Sequence, residues 1–87
     1  MTAFSATIIS AIEGFQRNEI SFTDLVSAIE SGVDVASESN GAFAEEMRYW
    51  WGRLEIINAL QQAGTPTDRL DEIPEALFEL RKLAEST

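Results

Sequence analysis

The chain has 87 residues, 15 acidic against 6 basic side chains, a net charge of −9 and a 45% hydrophobic share, enough to build one globular domain rather than a disordered segment. It holds no cysteine and no histidine, which excludes disulfides, thiolate metal sites, a cysteine nucleophile and the commonest general base. The surplus of carboxylates disfavours nucleic acid and anionic membrane as partners, because both require a basic face, and it favours a basic protein.

Phe4, Ile8, Ile12 and Phe15 recur at spacings of four, four and three, and predict a first helix from about Ala3 to Arg17. Ser5, Ser10, Glu13 and Gln16 point away from that stripe. Gly14 either admits a neighbouring helix or marks an early fray. Arg17-Asn18-Glu19 reads as a tight link.

Ser21 opens the second helix. Its hydroxyl is placed to accept from a backbone N–H near Asp24, and Asp24 sets negative charge at the positive helix end. Ile20 and Leu25 hold the flanking staple positions. Phe22, Leu25, Val26 and Ile29 form the buried face, and Gly32 is expected to stop the helix in a left-handed conformation. Helices one and two then make an antiparallel hairpin. Val33 to Gly41 is the least regular stretch, with Ser37, Ser39 and Asn40 all offering caps to the next helix.

The third helix is the longest, from Gly41 or Phe43 to the stop at Gly64-Thr65-Pro66. Phe43, Met47, Trp50, Leu54, Ile57 and Leu60 share one face, and Trp51 and Ile56 widen it. Consecutive helical residues diverge by about 100°, so only one indole can lead into the core. Trp50 is expected there, and Trp51 at the core edge or in a partner contact. Gly52 is placed to let a neighbouring helix approach the backbone. Thr67-Asp68-Arg69-Leu70 reads as a short turn capped by Thr67. The last helix carries Pro74 in its first turn and an apolar stripe of Ile73, Leu77, Leu80 and Leu83 or Ala84, flanked by Phe78. No stretch alternates as a strand does. The fold class expected is all-α: a four-helix, bundle-like single domain with a long central third helix as the axis that the others cover.

The two longest uncharged runs, Met1 to Ile12 and Ile56 to Thr67, are 12 residues each, too short to span a bilayer. The first lacks a basic leader, so no signal peptide is read there and the expected location is cytoplasmic. Asp68 with Glu72, and Asp71 with Glu75, have four-residue spacing, but without histidine neither makes a di-iron pattern and neither builds a calcium loop. No metal, cofactor or catalytic residue is expected, and no enzyme.

The charge map is more informative. From Asn18 to Met47 there are seven acids and no base, so seven of the nine net negative charges fall in one contiguous third of the chain. The residues expected to meet a partner are Asp34, Glu38, Glu45 and Glu46, with Tyr49 and Trp51 as aromatic anchors.

Phe15-Gln-Arg-Asn-Glu-Ile-Ser-Phe-Thr-Asp-Leu25 resembles the first helical hairpin of small helical bacterial immunity proteins, of the colicin D type and the contact-dependent growth inhibition type. The segment Tyr49 to Leu60 is similar in character to their long third helix. The resemblance implies a cytoplasmic antidote that covers the active site or groove of a basic toxin, often a nuclease. The alternative reading is a helical homodimeric structural or regulatory module, paired through the wide apolar face of the third helix.

Overall fold

The computed structural model describes residues 3–38, 41–65 and 69–86. Four α-helices account for most of it: α1 (Ala3–Gln16), α2 (Phe22–Ser37), α3 (Gly41–Gln62) and α4 (Glu72–Glu85), with a 3₁₀ turn Arg69–Asp71 before the last. The expected all-α, four-helix architecture is what the chain adopts. α3 lies between α2 and α4 and packs on both, and α1 packs on the same two helices from the other side. The long helix is therefore one side of a four-sided bundle rather than an axis. The centre is filled from all four sides by Ile8, Ile12, Leu25, Ile29, Val33, Met47, Leu54, Ile57 and Leu80, each at most 2% exposed. Burying a side chain of this kind contributes about 1.5–3 kcal/mol.

The link after α1 is set by Asn18, which takes a positive φ of 61°. Glu19 N–H reaches back to the Gly14 carbonyl at 2.8 Å and Asn18 N–H to the Phe15 carbonyl at 3.0 Å, the paired bonds of a Schellman stop. Gly64 ends α3 in the same way, with φ 71° and with Thr65 N–H on the Leu60 carbonyl at 2.9 Å. Ser21 caps α2 as its sequence implies, its Oγ accepting from Asp24 N–H at 3.1 Å.

Gly32 departs from expectation. It lies inside α2, buried, and the helix runs five residues further to Ser37, so Val33-Asp34-Val35 is helical. The reason is packing. A Cβ at Gly32 would stand 2.6 Å from Ile8 Cγ1 and 3.5 Å from the Phe4 carbonyl oxygen, so this glycine lets α1 and α2 approach closely. The stop is left to residues beyond Ser37. Ser39, Asn40, Pro66, Thr67 and Asp68, which the sequence reading used as caps and a stop, lie outside the described residues.

Ser5 also differs from expectation. It is fully buried, and its Oγ donates to the Ala84 carbonyl. That carbonyl belongs to the last turn of α4, so the hydroxyl joins α1 to the carboxyl end of α4. A helix wedged between two neighbours buries more than one stripe, and a small polar side chain on the second stripe goes inside with it.

Candidate functional site

The described residues form no pocket, and among them no cluster of three or more side chains is suited to a metal ion. A site built from the described residues is therefore a surface. Glu72, considered above as half of a carboxylate pair, already accepts from Arg53 and lies 4.0 Å from Arg69.

All seven acids of the contiguous third are exposed. They do not form one patch. Asp24 and Glu38 stand at opposite ends of α2, about 21 Å apart along its axis at 1.5 Å per residue. That is more than two Debye lengths at physiological salt, where one is about 8 Å. Glu19 precedes α2 and stays with Asp24 at the far end. The four residues singled out from the sequence do gather. Asp34 and Glu38 lie on the final turn of α2, Glu45 and Glu46 on the second turn of α3, and the two turns meet where Arg48 Nη2 pairs with Asp34 Oδ1 at 3.6 Å. Asp34 and Arg48 remain 67% and 50% exposed, so the pair contributes little to stability and lowers the local charge by one. Among the described residues Glu38, Glu45 and Glu46 have no ion pair. The corner also works against the helix dipole: α2 has no basic residue in its last turn, and Asp34 and Glu38 sit at its negative end. The field of that terminus adds to theirs, while the positive amino end of α3, one turn before Glu45, offsets part of it.

Tyr49 follows one turn along α3 and is 59% exposed. Its ring meets Trp50 edge-on, with centroids 5.0 Å apart, and Arg53 spans both rings at 5.8 and 5.3 Å. Trp50 is half-buried against the core rather than inside it, which corrects the expectation for this indole. Ala44, Met47, Leu54 and Ile57 supply the interior of α3, so both indoles flank it. Trp51 sits at the core edge on the opposite side, half-buried, with Nε1 donating to the Val26 carbonyl of α2 at 3.1 Å. Of the two proposed anchors, Tyr49 is the one adjoining the acidic corner. Trp51 is held on the α2–α3 seam, its N–H engaged within the chain.

Sequence reasoning overlooked Arg53. The Glu72 carboxylate that accepts from its guanidinium holds it above its ordinary range; desolvation opposes this, and the charges of Glu72 and Tyr49 add to it. It joins α3 to α4 and covers Tyr49 and Trp50 at once. The four-residue spacing of Tyr49 and Arg53 was the available signal, and Glu72 could be known only from the packing. On the α2–α3 seam, Thr23 Oγ1 donates to Asn58 Oδ1 at 2.9 Å and accepts from Gln62 Nε2 at 3.2 Å. No helix is long and apolar enough to cross a membrane among the described residues. No protein-family model, no curated protein and no solved structure matches this chain.

Proposed function

We propose that the chain is a neutralising protein, an immunity or antitoxin component that binds a basic protein toxin, a nuclease being the class whose phosphate-binding groove best suits such a ligand. The observation that carries the reading is the acidic corner: Asp34, Glu38, Glu45 and Glu46 are exposed together, and two of them sit where the helix dipole disfavours them. Carboxylates there would occupy positions that the toxin otherwise gives to phosphate, with Tyr49 as the adjoining aromatic contact. A cytoplasmic location goes with this role. The homodimer reading has less support, because the apolar face it used is occupied: Met47, Leu54 and Ile57 are buried within the protomer and Trp51 is bonded to α2.

The test is kinetic. The partner is captured from the source cells and identified by mass spectrometry, and association is measured at low and physiological salt. The Asp34→Asn, Glu38→Gln, Glu45→Gln, Glu46→Gln variant should associate more slowly at low salt and lose most of the salt dependence, with a smaller change in dissociation. Equal on-rates for the two proteins at low salt would overturn the reading.

A further inference from the structure

α3 carries a second seam on the side away from the core. Ala42, Glu45, Tyr49, Gly52, Ile56 and Ala59 recur at three, four, three, four and three, the spacing of a helix that packs along another helix. Five of the six are exposed, with Tyr49 at 59% and Ile56 at 49%. The seam extends for about 26 Å at 1.5 Å per residue. None of the three other helices covers it.

Gly52 is the second observation. A glycine in a helix interior is destabilising relative to alanine, and a close approach of backbones is the ordinary compensation. Gly32 has that compensation inside the chain, against Ile8. Gly52 has none among the described residues: a Cβ there would meet nothing within 4 Å. Tyr49 and Ile56 stand one turn away on either side.

Charge selects the neighbour. Both arginines near the seam are engaged within the protomer, Arg48 with Asp34 and Arg53 with Glu72. Glu45, Glu46 and Glu55 beside them have no ion pair among the described residues. A second copy would bring a further −9 and the same uncompensated acids to the contact, so like charges would meet. We infer that the outer seam of α3 receives an amphipathic helix of a basic protein, lying along Tyr49, Gly52 and Ile56 with lysines or arginines against Glu45, Glu46 and Glu55. The inference rests on the neutralising role for its partner class, and adds to it the mode of docking.

Two helix-stabilised peptides with the same alanine and leucine heptad seam, one flanked by lysines and one by glutamates, serve as probes in a ¹⁵N-edited titration of the intact protein. The lysine peptide should shift the amides of Tyr49, Gly52, Ile56 and Ala59 saturably, and the glutamate peptide should not. Gly52→Leu, placed in open space, should keep the fold and weaken lysine-peptide binding about tenfold or more, as loss of a central contact does. Shifts centred on another face, equal binding of the two peptides, or unchanged affinity in Gly52→Leu would overturn the inference. So would concentration-dependent shifts of the same amides in the free protein, which would make the occupant a second copy. The two ideas fail separately: on-rates indifferent to the four acids remove the neutralising role, and a captured toxin that binds Gly52→Leu with full affinity removes only the helix dock.

Discussion

Two glycines inside helices separate local propensity from packing. At Gly32 a methyl group would gain about 1 kcal/mol of helix propensity and collide with Ile8, which is fully buried and would have to shift within the core. Overpacking of this kind costs about 1–3 kcal/mol, so Gly32→Ala should lower stability in urea titrations. At Gly52 nothing opposes the propensity gain, and Gly52→Ala should raise stability by about 0.5–1 kcal/mol in the isolated protein. A change of the same sign at both positions would show that the contact with Ile8 does not govern Gly32. Glu38 makes a related case. It caps the carboxyl end of α2, where its charge opposes the dipole, so Glu38→Gln should stabilise the fold by about 0.3–1 kcal/mol at low ionic strength, fading with salt. A stabilising substitution that also slows association with the proposed basic partner would separate a role in binding from the residue's effect on the fold.

At the scale of elements, polar groups set beside apolar ones tie the α1–α4, α2–α3 and α3–α4 seams. Ser5 bonds α4, Trp51 bonds α2, and Arg53 bonds Glu72 on α4. The α1–α2 seam relies on close packing at Gly32 and on the Phe15–Phe22 ring contact, with centroids 5.7 Å apart. Trp51→Phe keeps most of the ring's area and removes the N–H donor, so it should cost about 1 kcal/mol, the net contribution of an ordinary hydrogen bond. Chemical denaturation measures it, and a neutral result would mean that the indole nitrogen is served equally by water. Arg53 acts on two aromatics and one carboxylate together. Arg53→Met should therefore change the near-ultraviolet circular dichroism of Trp50 and Tyr49 and lower the melting temperature. Lys82→Met, exposed in the last turn of α4 and ten residues beyond Glu72, should leave the spectrum as it is.

At the scale of the whole molecule, nine uncompensated charges on a globule with a 12.4 Å radius of gyration repel one another. The Debye length falls from about 30 Å at 0.01 M salt, longer than the molecule's radius, to about 8 Å at 0.15 M. Added sodium chloride should therefore raise the melting temperature over this range. The variant with all four corner acids neutralised, at net charge −5, should respond less. An equal response would place the repulsion elsewhere in the chain.

Periodicity and capping chemistry were local, and the sequence alone determined what depends on them: four helices, the Ser21 cap, the stop at Gly64 and the apolar stripe of α4 with Phe78 outside it. Each is decided by residues within a turn or two of one another. The extent of α2, the burial of Ser5, the half-burial of Trp50 and the Arg53 bridge needed the tertiary structure, because each is decided by a partner distant in sequence: Ile8 for Gly32, Ala84 for Ser5, Glu72 for Arg53. The charge map divides in the same way. Composition along the chain showed an acidic third. The length of α2 split it, leaving one corner where the acids act together, because charges separated by more than a screening length no longer share a field.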